Sequence, residues 1–390
     1  MDRVQPSVIR ELLALAADPA FVSFGGGYPD PQVFPIEGLA AAYQTALTEH
    51  GSNALQYATT EGIGRLREQI AELMTADGVT CGPEHVLVVQ GAQQAIDLAG
   101  KLWLEPGDVV ITESPTFLGG LVGLNPYEPR YRSVRTDAQG MDPEHLEEVL
   151  KANPRAKLIY TVPDFHNPTG YTLSLERRAR IVELARAYDV IILEDTPYRE
   201  LRFAGAPLPT LKSFDTDGHV YFIGSFSKTL APGLRTAWIV ASEADVERLA
   251  LLKLATDTQN STINMFAVSL FLDSGAYGPH LERIRAHYRA KRDHTIAALE
   301  AEMPGDVSFT RPEGGLFLWL TFPNHVDTDR LLREHLIPED QVAFVPGASF
   351  YSEAPELHRG RLGFPTLTLD RISEGVHRIA TGFARVRHLL

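Results

Sequence analysis

Short apolar segments without polar alternation recur along the first two thirds of the chain. They lie at residues 86–89, 109–111, 158–162, 190–193, 220–223 and 238–240. Runs rich in β-branched residues are typical of strands that are buried on both faces. Helical patterns separate them, as at residues 94–104 and 175–187. This alternation predicts an α/β protein with a mostly parallel sheet flanked by helices, whose ligands bind beyond the carboxyl ends of the strands.

The pattern changes at about residue 281. A long charged helical pattern at 281–303 precedes short apolar segments at 307–309, 314–321, 342–344 and 361–364. This arrangement predicts a smaller α+β domain, and 390 residues are too many for one ordinary core. We expect a large domain over residues 41–280 and a small C-terminal domain over 281–390. Residues 1–40 are expected to pack on the small domain.

Composition narrows the possible partners. Hydrophobic residues make up 44% of the chain, which is typical of globular proteins. A net charge of −14 argues against non-specific binding to nucleic acid or to acidic membranes. Cys81 is the only cysteine, so no intrachain disulfide can form, and no signal peptide or spanning helix is visible. We therefore expect a cytoplasmic protein with small-molecule substrates.

The most informative segment follows the strand pattern at 220–223. Lys228 lies directly after Ser225 and Ser227, and Arg235 follows seven residues later. A lysine that is desolvated beside positive charge becomes a nucleophile able to form a Schiff base. Hydroxyls and a guanidinium suit a phosphate dianion. The segment could thus hold both ends of pyridoxal 5'-phosphate, and the alternative is a surface loop.

A second group of polar residues suits the ring of that cofactor. Asp195 ends a strand pattern, where its carboxylate can pair with a protonated pyridine nitrogen and make the ring an electron sink. Tyr198 and Asn167 can both bond the phenolic oxygen of the ring. Alternatively, Asp195 caps a following helix and Asn167 belongs to an ordinary Asn-Pro turn.

Two further features allow both a functional and a structural interpretation. Gly91, Ala92 and Gln93 join a strand pattern to a helix, where free backbone N–H groups attract a phosphate. Phe117 can stack on a flat heteroaromatic ring. The alternatives are a tight strand-to-helix turn and a core aromatic residue.

Two arginines are candidates for substrate carboxylates. Arg361 lies in a strand pattern of the small domain, and Arg10 lies in a short N-terminal helical pattern. Arginine binds a carboxylate through two parallel hydrogen bonds. Otherwise Arg361 is a rim charge and Arg10 a surface residue. The histidines have no metal-ligand spacing, so we assign no metal.

Taken together, these residues resemble the fold-type-I pyridoxal-phosphate-dependent aminotransferases of class I/II. The resemblance is greatest to the 2-aminoadipate (LysN-type) and kynurenine aminotransferase branch. It runs from Ser7 to Arg361 and is most specific in three motifs: Asn167-Pro168-Thr169-Gly170, Asp195-x-x-Tyr198 and Ser225-x-Ser227-Lys228. Ala92 departs from the serine that is common in the family, and Phe117 departs from the usual tyrosine.

The resemblance implies a homodimer with shared active sites. Lys228 would form the Schiff base and move the proton, with Asp195 on the pyridine nitrogen. The other implied positions are Asn167 and Tyr198 on the phenolic oxygen, Ser225, Ser227 and Arg235 on the phosphate, Tyr57 on the partner subunit's phosphate, Arg361 on the α-carboxylate, and Arg10, Asn167 and Gly26 around the substrate.

The expected activity is amino transfer from an L-amino acid to a 2-oxo acid, with 2-oxoglutarate as the expected acceptor. The donor classes implied are 2-aminoadipate, aromatic and branched or aliphatic amino acids. Two alternatives stay open at this point. The same cofactor could serve elimination, decarboxylation or oxidative deamination, or the chain could be the effector-binding domain of a transcription regulator.

Overall fold

The computed structural model describes Asp18 and residues 20–389, which form one large and one smaller sheet covered by helices. The strands are β1 (Val22–Ser23), β2 (Val86–Val89), β3 (Val109–Ser114), β4 (Arg130–Asp137), β5 (Gly140–Met141), β6 (Ala156–Thr161), β7 (Ile191–Asp195), β8 (Val220–Ser225), β9 (Ala237–Val240), β10 (Ser308–Phe309), β11 (Phe317–Thr321), β12 (Val342–Ala343), β13 (Val345–Pro346) and β14 (Arg359–Gly363).

The α-helices, numbered over the same residues, are α1 (Ile36–Ala54), α2 (Gly64–Ala76), α3 (Ala92–Trp103), α4 (Leu118–Leu124), α5 (Pro143–Ala152), α6 (Leu175–Tyr188), α7 (Glu243–Leu254), α8 (Thr262–Asp273), α9 (Tyr277–Glu302), α10 (Thr328–Arg330) and α11 (Leu369–Val386). A π-helical segment, Leu331–Asp340, continues directly from α10. Short 3-10 turns lie at Pro31–Val33, Pro83–His85, Asn125–Tyr127, Lys212–Phe214, Pro232–Leu234 and Gly347–Phe350.

The large sheet has eight strands in the order β2-β9-β8-β7-β6-β3-β4-β5. Strands β8, β7, β6, β3 and β4 are parallel to one another, whereas β9 is antiparallel to both β8 and β2. The predicted mostly parallel sheet is therefore confirmed. Strands β2, β3, β6, β7 and β8 all end at one edge, and β9 begins there. The loops that follow these ends converge on one region.

Burial on both faces explains why the strand sequences lack alternation. In β6, Leu158 and Tyr160 pack into one apolar cluster, whereas Ile159 packs into the cluster on the opposite face. Strand β4 was not predicted, because it is rich in arginine and Val134 is its only buried residue. The apolar patterns thus identify the centre of the sheet better than its edge.

The smaller sheet carries Arg361. Its four antiparallel strands have the order β10-β11-β14-β13, and α9 and α11 pack against each other beside it. Strand β1 pairs with β12, and the backbone N–H of Gly363 in β14 donates to the carbonyl of Phe24 at 2.8 Å. Residues 24–27 are therefore attached to the sheet that holds Arg361. The domain limits at residues 40 and 280 stay predictions.

Two surface properties complete the description. Within Asp18 and residues 20–389, no helix has both the length and the apolar character needed to cross a membrane. The Cys81 thiol is free and half-buried. Its burial raises the pKa of the thiol to about 11, so the thiol is protonated at neutral pH.

Candidate active site

Lys228 lies just beyond the end of β8 and is largely buried. Its Nζ donates a hydrogen bond to the carbonyl oxygen of Gly27 at 2.9 Å. Burial lowers the pKa of Lys228 to about 8, with a further contribution from the positive charges of Arg361 and Arg235. A substantial fraction of the amine is therefore neutral near pH 8. This is the nucleophilic form that the sequence predicts.

Asp195 is the last residue of β7 and is 1% exposed. Its Oδ2 accepts a hydrogen bond from the Tyr160 hydroxyl at 2.7 Å, while Oδ1 is buried with no partner among the described residues. Burial raises the pKa of Asp195 to about 6. No helix begins directly after it, so the capping alternative is wrong. An unpartnered carboxylate oxygen fits a protonated pyridine nitrogen.

Asn167 joins the two sheets at the site. Its side-chain Nδ2 donates to the Tyr198 hydroxyl at 3.2 Å, and its Oδ1 accepts from Nη1 of Arg361 at 2.9 Å. The Tyr198 ring meets the Phe317 ring edge to face, with centroids 5.6 Å apart. Asn167 and Tyr198 are thus adjacent, as two residues that share one phenolic oxygen must be.

The turn after β2 is shaped for an anion. Gly91 has a φ of 96°, and a Cβ there would collide with Nη2 of Arg235. Ala92 begins α3, so its first backbone N–H groups face this turn. Nη2 of Arg235 donates to the carbonyl of Gln90 at 2.5 Å. The guanidinium and the helix N-terminus together offer positive potential to a phosphate.

Hydroxyl groups and an aromatic ring complete this side of the site. Ser225 Oγ donates to Ser227 Oγ at 2.9 Å, and Ser225 lies opposite Ala237 of β9, close to Arg235. The Gln93 side chain donates to the carbonyl of Gly119 at 2.9 Å. A Cβ at Gly119 would collide with the Phe117 ring. These residues fit the phosphate and ring of pyridoxal phosphate.

Arg361 is 1% exposed, which overturns the alternative that it is a rim charge. Its guanidinium lies 4.4 Å from the Phe317 ring centroid and 5.0 Å from that of Phe350. Nη2 donates to the carbonyl of Gly25 at 2.7 Å. Burial lowers the pKa of Arg361 to about 10. The group is still cationic at neutral pH, in surroundings where a carboxylate would bind strongly.

Three predicted residues remain, of which Gly26 belongs to the cluster because its neighbours Gly25 and Gly27 accept hydrogen bonds from Arg361 and Lys228. Gly26 lies beside β14, since a Cβ at Gly363 would collide with its carbonyl oxygen. Tyr57 lies between α1 and α2 with its side chain 80% exposed. Arg10 lies outside the described residues.

Some site residues are not among those that the sequence patterns single out. Tyr160 contacts Asp195 from a neighbouring strand, and Phe317 and Phe350 flank Arg361. The spacing of these residues along the chain gives no signal of their contacts. Across the described part of the chain, no group of three His, Cys, Asp or Glu side chains could hold a metal ion.

Comparison with known proteins gives consistent matches along the whole chain. A family model described as aminotransferase class I and II matches residues 26–379. An aromatic-amino-acid aminotransferase of Thermococcus litoralis is 37% identical, over 97% of this chain and 91% of that protein. A 2-aminoadipate transaminase of Thermus thermophilus is 39% identical, over 97% of this chain and 94% of that protein.

A solved structure extends the match to the fold. The α-aminoadipate aminotransferase LysN from Thermus thermophilus, complexed with N-(5'-phosphopyridoxyl)-L-leucine, superposes with a TM-score of 0.91. It is 37% identical to this chain and covers 100% of it, while this chain covers 97% of that structure. The ligand of that structure contains both a pyridoxyl phosphate and an amino acid.

Lys228→Ala should abolish covalent attachment of the cofactor. After borohydride reduction, mass spectrometry should find the added phosphopyridoxyl group of the natural enzyme on the Lys228 peptide, and none in the variant. Lys253 is an internal control, because it is fully buried but its Nζ is bound to Asp257 Oδ1 at 2.8 Å. A label on Lys253, or on any lysine of the variant, would contradict the assignment.

Cofactor attachment should depend on pH through Lys228. Only the neutral amine attacks the aldehyde, so the attachment rate of the apoenzyme should rise with pH and reach half its maximum near 8. Arg361→Gln removes a positive charge and should move this midpoint upward. Stopped-flow absorbance over a pH series measures both. A midpoint at the ordinary lysine value of 10.5 would show that burial does not activate Lys228.

Proposed function

The chain belongs to the aminotransferase class I and II family, and we propose that it transfers the amino group of an L-amino acid to 2-oxoglutarate. Pyridoxal-phosphate-dependent aminotransferase activity itself follows from the family match and the named relatives. The proposed donors are 2-aminoadipate, aromatic or branched and aliphatic amino acids. The observation that carries the proposal is the placement of Lys228 and Arg361 on the same short backbone segment, Gly25 to Gly27.

Pyridoxal phosphate, when bound, supplies an electron sink that makes the α-proton of an amino acid removable. Lys228 would take this proton and return it, since its pKa of about 8 lets it act as both base and acid near neutral pH. Asp195 would hold the proton on the ring nitrogen. Asn167 and Tyr198 would bind the phenolic oxygen of the ring.

Arg361 would bind the α-carboxylate of the substrate. Its Nη2 donates to the neutral carbonyl of Gly25, and a carboxylate is a stronger acceptor for the same donor. The guanidinium packs over the rings of Phe317 and Phe350, which restricts its orientation. Both donors and acceptors of the reaction have an α-carboxylate, so one clamp serves both half-reactions.

A second cation is needed for the distal carboxylate of 2-oxoglutarate or 2-aminoadipate. Arg10 is our candidate, and its support comes from the sequence alone because it lies outside the described residues. The sequence pattern predicts a short helix around Arg10, and an arginine on such a helix could move away when an apolar side chain enters. Such a residue would let one site bind both amino donors with an acidic side chain and donors with an apolar side chain.

We also propose that the enzyme is a homodimer whose partner subunits complete each other's sites. Large apolar side chains are exposed at the two ends of α1 and in the loop after it, with Ile36 at 69%, Leu55 at 71% and Tyr57 at 80%. Leu55 and Tyr57 are close in sequence after the end of α1, where a second subunit related by a two-fold axis could cover them. Tyr57 would then reach the partner's phosphate. The single cysteine supports a cytoplasmic location.

The transfer can be tested as two separate half-reactions. The loaded enzyme, mixed with 2-aminoadipate, tyrosine or leucine alone, should yield pyridoxamine phosphate and one equivalent of 2-oxo acid. Adding 2-oxoglutarate should then restore the original visible absorbance. Arg361→Lys should keep the cofactor but require a far higher donor concentration, because lysine cannot form two parallel hydrogen bonds. Release of ammonia or carbon dioxide instead would favour elimination, oxidative deamination or decarboxylation.

Mixed dimers can test whether the sites are shared. Tyr57→Ala should weaken cofactor binding about ten- to a hundredfold by removing a charge-assisted hydrogen bond. Mixed dimers of Tyr57→Ala with Lys228→Ala contain one intact site if Tyr57 acts across the interface. Activity should therefore appear on subunit exchange at limiting cofactor. No recovery in mixed dimers whose formation is verified by native mass spectrometry would place Tyr57 in its own subunit's site or outside both.

A further inference from the structure

Tyr160 forms a buried contact that the proposed mechanism does not use. It lies on β6, next to β7, and its side chain is fully buried. Its hydroxyl donates a hydrogen bond to Oδ2 of Asp195 at 2.7 Å. The other carboxylate oxygen, Oδ1, is buried and has no partner among the described residues. The two oxygens of Asp195 therefore differ in their hydrogen bonding: Oδ2 is bonded to Tyr160, and Oδ1 has no partner among the described residues.

We propose that Tyr160 is a positioning residue that orients Asp195 so that its free oxygen faces the pyridine nitrogen of the cofactor. The inference rests on the proposed role of Asp195. A carboxylate group turns easily about its terminal torsion, since that torsion has broad minima. A hydrogen bond from a rigid phenol restricts this rotation, and the strand pairing of β6 with β7 fixes the distance between the two residues.

The same hydrogen bond keeps Asp195 charged. Burial raises the pKa of Asp195, and the Tyr160 hydroxyl lowers it because it donates to the ionised form. The pKa of the Tyr160 hydroxyl is itself held well above its ordinary value, mainly by burial and then by the nearby Asp195, Glu113 and Tyr198. The phenol therefore stays protonated and continues to donate. A neutral Asp195 could not favour a protonated ring nitrogen.

The Tyr160 ring packs directly against Gly120 in α4. A Cβ at Gly120 would lie 2.5 Å from Cε1 and 2.6 Å from Cζ of the Tyr160 ring. Any larger residue would push the ring, and its hydroxyl, away from Asp195. Gly120 thus allows the contact between Tyr160 and Asp195. A glycine is needed there because the Tyr160 ring fills the space of a side chain, and not because the backbone turns.

The test is Tyr160→Phe in the loaded full-length enzyme, with Tyr221→Phe as the matched control. Tyr221 is fully buried in the same sheet, and its hydroxyl accepts a hydrogen bond from Trp103 Nε1 at 3.1 Å, away from Asp195. Both variants lose one buried hydroxyl and keep the ring. Thermal unfolding of both measures the general cost of that loss and verifies that each variant is folded.

Cofactor readouts should separate the two variants. Tyr160→Phe should raise the dissociation constant of pyridoxal phosphate about ten- to a hundredfold, because Asp195 would lose its fixed orientation and part of its charge and would form a weaker charge-assisted hydrogen bond to the ring nitrogen. The visible absorbance of the loaded enzyme changes with pH as the nitrogen that joins Lys228 to the cofactor loses its proton. The midpoint of this change should rise in Tyr160→Phe, because a less protonated ring nitrogen withdraws less electron density from the joining nitrogen. The turnover number kcat should fall with little change in donor KM. Tyr221→Phe should change none of these.

A double variant locates the effect. In an Asp195→Asn background, Tyr160→Phe should cause no further change in the pH midpoint or the dissociation constant, because the two residues act as one unit. Equal additional losses in both backgrounds would overturn the proposal. A single Tyr160→Phe variant with the midpoint and affinity of the natural enzyme would overturn it as well. The pH midpoint and the cofactor dissociation constant are measured without an amino acid, so an incorrect donor assignment would not affect them.

Discussion

Incomplete compensation of buried charge is the constraint on which this site depends. Lys228, Asp195 and Arg361 lie in protein surroundings where burial is the main cause of each pKa shift. Removing water destabilises the charged form of each group, and few protein partners replace the lost hydration. The site therefore gains most from a ligand that has a protonated nitrogen at one end and a carboxylate at the other. The exclusion of water from the site therefore favours ligands that carry these complementary charges.

The topology brings these three groups together from distant parts of the chain. The parallel strands of the large sheet end at one edge, which places Asp195 at the end of β7 and Lys228 just beyond the end of the neighbouring β8. The small sheet brings Arg361 to the same place. Asn167 bonds to Arg361 on one side and to Tyr198 on the other, so one amide links the carboxylate clamp to the ring-binding residues.

The sequence could predict the centre of the fold because fully buried strands leave unbroken apolar runs, as at β2 and β8. It could not predict β4, whose arginines keep it partly exposed at the side of the sheet. Asp195 and Tyr198 could be predicted as site residues from the sequence, because they are only three positions apart and form one recognisable motif. Tyr160 could not be predicted as a site residue, because its contact with Asp195 depends on the pairing of β6 with β7 rather than on spacing along the chain. The roles of all these side chains toward the cofactor stay predictions.

The attachment of residues 24–27 to β14 has a mechanical consequence. Gly25 accepts from Arg361 and Gly363 bonds Phe24, so this segment and the clamp belong to one rigid unit. Lys228 belongs to the large-sheet side, and its Nζ is bonded to the end of the segment, at Gly27. If the small sheet rotated relative to the large one, the contact at Gly27 would break before the contact at Gly25. Lys228 would then lose its partner at Gly27 and Arg361 would lose its partner Asn167, whereas the hydrogen bond from Arg361 to Gly25 would be kept.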